Sequence, residues 1–118
     1  VKGILGTSSF DAPGTARAID ELGLKGKVFT AGTGMPAANA QILKDGSVST
    51  LTLWDPANAG YAMASLATKI LNGETIEDGV NLGVEGYESM HFSSGSTKVL
   101  EGTGWLKITK DNVDSLGF

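Results

Sequence analysis

The sequence predicts an α/β fold: an open parallel sheet flanked by helices, followed by short C-terminal strands. Three observations predict it. Short apolar runs alternate with helical patterns as far as Leu71. Each helical pattern carries a proline near its start, at Pro13, Pro36 and Pro56, where a missing N–H costs nothing. Beyond Gly73 the composition shifts to Gly, Ser and Thr with only short apolar runs. Strands alternating with helices imply βαβ units with right-handed crossovers.

Taken in order, Val1–Gly6 opens the chain as a strand centred on Ile4 and Leu5. Asp11 is placed to cap a helix that Gly23 stops, with Ala12, Ala16 and Ile19 on one face. Val28–Ala31 is the second strand. Pro36 opens a shorter helix through Leu43, closed by Asp45-Gly46. Thr50–Trp54 is the third strand. Asp55 then caps a helix with Pro56 at its first position, and Ala59, Met63, Leu66 and Ile70 recur at helical spacing before Gly73. The Met63 stripe reads as core. Strands are expected at Val80–Val84, Tyr87–Phe92 and Trp105–Ile108, with a turn or mobile loop at Ser93–Thr97 and a helical turn at Lys110–Asp114.

The 118 residues have the length of one small domain. A net charge of −4 argues against nucleic-acid binding, which needs clustered Lys and Arg. There is no Cys, so disulfides, thiolate metal sites and a Cys nucleophile are excluded. No apolar stretch approaches a bilayer span, and no signal peptide is evident. A chain that opens directly on a strand is expected to be part of a longer protein.

In open α/β sheets, ligands bind beyond the carboxyl ends of the strands. Three such ends are visible: Gly6-Thr7-Ser8-Ser9, Gly32-Thr33-Gly34 and Trp54-Asp55. Their hydroxyls and carboxylate suit sugar hydroxyls, and an indole face suits the C–H face of a sugar ring. Thr7, Ser8, Ser9, Thr33, Trp54 and Asp55 are therefore the candidate ligand-binding residues. Taken singly, each also has a plain structural use: hydroxyls and Asp55 as helix caps, Trp54 as core. Gly32-Thr33-Gly34 lacks the third glycine of a dinucleotide fingerprint. His91 is the only histidine and no triad is recognisable near it, so neither a catalytic nor a metal role is assigned. No cofactor is expected, and no enzymatic activity.

Several segments together carry a resemblance. Gly3-Ile4-Leu5-Gly6 followed by Pro13-Gly14-Thr15-Ala16-Arg17-Ala18 resembles the C-terminal lobe of periplasmic sugar-binding proteins of the ribose-binding type. Thr33-Gly34-Met35-Pro36, Lys44-Asp45-Gly46 and Leu53-Trp54-Asp55-Pro56 with Gly60-Tyr61 are similar to the branch that holds rhamnose-binding proteins and autoinducer-2 receptors. The close, Ile108-Thr109-Lys110-Asp111-Asn112-Val113-Asp114 ending in Phe118, resembles the same branch.

The resemblance implies a periplasmic binding protein type I lobe. It implies the C-terminal part of a two-lobe receptor that closes on its ligand by a hinge. Residues 1–54 would be the ligand-side unit, 55–84 a hinge-crossing helix and strand, and 85–118 the C-terminal strands and tail. It also implies a small sugar or polyol as ligand and ABC transporter membrane subunits as partners. The location would be periplasmic or extracellular, lipid-anchored in a Gram-positive source. Autoinducer-2 receptors tend to have Ala-Pro-Asp-Ala where this chain has Gly6-Thr7-Ser8-Ser9, which favours a deoxysugar or polyol. The stripe from Ala59 to Ile70 and an open strand edge would need covering, so a homo-oligomer is expected. The alternatives are the effector domain of a sugar-responsive transcription regulator and an autoinducer-2 receptor. A Rossmann-like enzyme is disfavoured by the absence of a phosphate loop.

Overall fold

A computed structural model describes residues 1–118. The elements run β1 (Gly3–Leu5), α1 (Asp11–Glu21), β2 (Phe29–Thr33), α2 (Pro36–Lys44), β3 (Thr50–Trp54), α3 (Pro56–Leu71), β4 (His91–Phe92), β5 (Leu100–Glu101) and β6 (Trp105–Ile108), with a closing 3-10 turn at Val113–Ser115. One sheet has the order β1-β2-β3-β6, and β4 pairs with β5 in a second. β1, β2 and β3 are mutually parallel, with Ile4 opposite Thr30 and Gly32 opposite Leu51. The chain divides into two compact units, Val1–Leu53 with Leu106–Phe118, and Trp54–Trp105.

In the first unit, Ala12 and Ala16 of α1 meet Leu43, Val48, Leu51, Leu53, Ile108 and Val113 in one core. Sequential parallel strands joined by right-handed crossovers put both helices on one sheet face. The alternation along β2 agrees: Thr30 and Gly32 are buried, whereas Phe29 is exposed. The Thr50 hydroxyl donates to the Ile108 carbonyl at 2.9 Å, fastening the C-terminal strand to β3. β1 lies at the sheet edge with all three residues exposed.

The structure corrects several boundaries. α1 is capped by Phe10 without a side-chain bond, and Asp11 is already helical. Its carboxylate turns back to accept the amides of Thr7 and Ser8, both at 2.9 Å. Asp11 thus caps the preceding loop and not the helix. β2 sits further along than Val28–Ala31, and Thr33 is its last residue. α2 runs one residue past Leu43. The helical turn expected at Lys110–Asp114 is a 3-10 turn at Val113–Ser115.

The second unit packs Ala62, Leu82 and Met90 with Leu66, Val80, Val84, Tyr87 and Leu100. Here α3 shows a rotated face. Met63, expected in the core, is 69% exposed, as is much of Ile70, while the small Ala62 is buried. The alternating Val80, Leu82 and Val84 do not form a strand; only a Val80–Met90 bridge remains. Gly79 and Gly83 adopt positive φ, and the Asn81 side chain accepts the Gly83 amide at 2.6 Å, so the run coils through turns. The strand expected at Tyr87–Phe92 shortens to β4, and β5 is an element the sequence pattern did not reveal. The segment Ser93–Thr97 does turn, with Gly95 at φ 79°.

Candidate ligand-binding site

In the first unit, two of the expected loops leave the same end of the sheet, because β1 and β2 are parallel neighbours. The Gly6 amide donates to the Ala31 carbonyl at 2.9 Å, extending the ladder past β1. Three glycines allow the close approaches this end requires. A Cβ on Gly6 would collide with the Asp11 side chain. One on Gly32 would stand 3.1 Å from the Gly6 carbonyl oxygen and 3.2 Å from the Ala12 Cβ, and one on Gly34 2.9 Å from the Asn39 amide nitrogen.

Thr7, Ser8 and Ser9 are exposed on a loop held by Asp11. The Ser8 hydroxyl also accepts the Phe10 amide at 3.4 Å, a long and weak bond. Thr33 is half-buried and lies opposite Thr52 of β3. Asn39 is buried and donates to the Met35 carbonyl at 2.9 Å, bracing the turn after β2. Thr52 and Asn39 were not singled out from sequence; strand register and helix spacing are the signals that point to them. From Gly3 to Ala16 only Asp11 is charged, and from Val28 to Leu43 no residue is. This end of the sheet offers hydroxyls and amides in a charge-poor setting, chemistry suited to a neutral polar ligand.

Trp54 and Asp55 belong to the second unit. Asp55 caps α3: its Oδ1 accepts the Ala57 and Asn58 amides at 2.7 and 3.2 Å. Removing such a cap costs about 1 kcal/mol. Asp55→Ala is therefore expected to lower the melting temperature by about 4 °C, measurable by circular dichroism. Trp54 packs edge to face on Trp105, with ring centres 5.3 Å apart and planes at 87°. Tyr87, Gly102 and Gly104 complete an aromatic cup of about 190 Å³ with these two indoles.

His91 has partners that its sequence neighbourhood did not suggest. Its Nδ1 lies 2.9 Å from the Asp78 carboxylate and its Nε2 3.2 Å from the Ser89 hydroxyl. Asp78 also accepts the Phe92 amide at 2.7 Å. The His91 ring and then the Phe92 amide hold the Asp78 carboxyl below its ordinary range. A carboxyl lowered on folding lends stability above its unfolded value, lost as the pH falls through the folded one. Acid melts between about pH 5 and pH 3 are expected to destabilise the natural chain more than Asp78→Asn. Equal slopes would mean that the contact contributes nothing. No group of three or more His, Cys, Asp or Glu is placed to hold a metal ion.

The profile of a family described as "periplasmic binding protein domain" matches residues 1–75. Among curated proteins none matches the chain. Among solved structures, it is similar to LsrB from Clostridium saccharobutylicum in complex with AI-2, with TM-score 0.71 and 21% identity over 100% of this chain and 40% of that one. A sugar ABC transporter from Actinomyces odontolyticus gives TM-score 0.78 and 28% identity, over 100% and 38%. GanP, a glucose-galactose binding protein from Geobacillus stearothermophilus, gives TM-score 0.69 and 19% identity, over 95% and 32%. The chain thus spans two fifths or less of each of these structures.

Proposed function

This chain belongs to the periplasmic binding protein family, and from that premise we propose that it is the C-terminal, solute-recognising part of a two-lobe sugar receptor serving an ABC transporter. The observation that carries the reading is the charge-poor, hydroxyl-rich end of the parallel sheet, where Thr7, Ser8, Ser9 and Thr33 follow β1 and β2. In the second unit, Trp54 and the Asp55 carboxylate oxygen not used in capping are further ligand contacts. The similar structures include an AI-2 complex and a glucose-galactose binding protein. The ligand here is a deoxysugar or small polyol, since Gly6-Thr7-Ser8-Ser9 departs from the first-loop pattern of autoinducer-2 receptors. The receptor works in the periplasm or at the cell surface, anchored by lipid in a Gram-positive source.

The role is binding, without catalysis. Ser89, His91 and Asp78 do form a hydrogen-bonded chain, but all three are exposed. Electrostatic stabilisation of an acyl-transfer transition state depends on a water-excluded site.

The test is calorimetry on the intact receptor with L-rhamnose, D-ribose, D-galactose and autoinducer-2. One of the sugars is expected to bind at micromolar concentration, and Asp55→Ala to weaken it by about tenfold or more, the value of a charge-assisted hydrogen bond. Binding of none, or of autoinducer-2 alone, overturns the assignment. The isolated 118-residue chain is expected to show no micromolar binding, because part of the contacts must repay the full cost of association. Its exposed β1 edge, with Met63 and Ile70 also exposed, favours self-association. Light scattering is expected to give a dimer or larger; a monomer would remove that part of the proposal.

A further inference from the structure

We propose that the cup formed by Trp54, Tyr87 and Trp105 is a binding subsite for a single uncharged sugar ring, an inference that rests on the receptor reading and extends it to two residues outside the strand-end loops. The cup lies wholly within the second unit. Two of its walls are indoles set at 87°, so that one ring meets the other by its edge. Trp54 is 42% exposed and Trp105 58%. Such a corner offers flat π surface to C–H groups, with N–H donors at its margins.

The remaining surface is backbone. A Cβ on Gly104 would lie 2.7–2.9 Å from two ring carbons and the hydroxyl oxygen of Tyr87, so the phenol rests directly on the glycine. The Thr103 amide donates to the Gly86 carbonyl at 3.0 Å, fixing the 102–104 segment beneath Tyr87. Any side chain at position 104 would displace the ring. Gly104 therefore holds Tyr87 in place and keeps the cup open.

Size and charge select the occupant. At about 190 Å³ the cup is smaller than the 300–1,000 Å³ typical of drug-sized ligands, and it suits one ring. No lining residue is ionisable at neutral pH, and none is acidic or basic. A phosphate or carboxylate ligand would find no counter-charge there. A neutral ring with one apolar face and hydroxyls around its edge matches both the walls and the margin.

Trp54 and Trp105 are the only tryptophans of the chain. In the isolated chain all indole emission therefore comes from the cup; in the intact receptor, comparison with Trp105→Phe identifies the part of the emission change that the cup contributes. The intact receptor is titrated with L-rhamnose, D-ribose and D-galactose, read in parallel by calorimetry and by tryptophan fluorescence. A saturable change in emission is expected for the sugar that binds. Trp105→Leu and Tyr87→Leu are each expected to weaken binding by about tenfold, as loss of a central aromatic contact does. Trp105→Phe, which keeps a flat wall, stays within about threefold. If none of the sugars binds by calorimetry, the receptor reading falls and takes this inference with it. If a sugar binds while emission stays unchanged and both leucine variants bind as tightly as the natural receptor, the subsite alone is refuted. Should either leucine variant fail to melt cooperatively, the natural and Trp105→Phe receptors decide, because an emission change of equal size in both refutes the subsite.

Discussion

Leu51→Ala is expected to lower the unfolding free energy by about 3 kcal/mol or more, the usual cost of emptying a closed core site. Leu51 is 0% exposed and sits on β3, an interior strand between β2 and β6. Around it, Leu43 and Val48 are almost fully buried, and Ile108 arrives from the C-terminal strand. These neighbours are anchored on separate elements, so they cannot all move inward to fill the space. Domains of this size hold about 5–15 kcal/mol in total, so the variant should lie close to the limit of stable folding. Leu51→Met, which conserves volume, is expected to lose less than about 1.5 kcal/mol. Urea denaturation followed by circular dichroism measures both. Equal midpoints for the two variants would mean that the core collapses around the missing atoms.

What the sequence made legible was mostly local. α2 and α3 carry proline at the first helical position, and glycines follow their ends, so their limits depend on neighbours in the chain. The sheet's three parallel strands were likewise readable from apolar runs. Misreadings arose where a distant contact decides. Asp11 has the chemistry of a helix cap, but close approach at Gly6 turns it toward the Thr7 and Ser8 amides. Helical spacing along α3 was visible, but spacing does not select the buried face. The larger Met63 suggested one face, and packing against Leu82 and Met90 selects the side of Ala62. Along Val80–Val84 the alternation mimics a strand, although glycines at positive φ bend it into turns.

The candidate site divides in the same way. Thr7, Ser8, Ser9 and Thr33 were readable because a parallel strand's end implies its position. Trp54 and Asp55 were readable from the strand-to-helix junction. Tyr87 and Trp105 were not, because the pairing of Trp105 with Trp54 joins residues far apart in sequence. Only the fold reveals that the glycines at 102 and 104 form a floor.

Gly86→Ala tests that floor with the second large effect. Gly86 adopts φ 81°, a conformation that residues with a Cβ rarely enter. A Cβ there would also stand 2.6 Å from the Gly104 Cα, a backbone atom that no side-chain rotation can move. Conformational strain of about 1–3 kcal/mol therefore adds to displacement of the 102–104 segment. The total expected loss is about 3 kcal/mol or more. Relief requires that segment to move off the Gly86 carbonyl, which now accepts the Thr103 amide at 3.0 Å. Tyr87 and Trp105 border the same segment, so the damage should reach the cup before it reaches the core built on Leu51. Two readouts separate these effects. Tryptophan emission of the folded variant is expected to shift toward that of water-exposed indole, while the helical far-ultraviolet signal of the chain persists. Gly60→Ala, at an exposed helical position where the added methyl meets nothing within 4 Å beyond its own helix backbone, serves as the control and is expected to leave emission unchanged. If Gly86→Ala melts and fluoresces like the natural chain, the close packing of Gly86 on Gly104 does not support the cup.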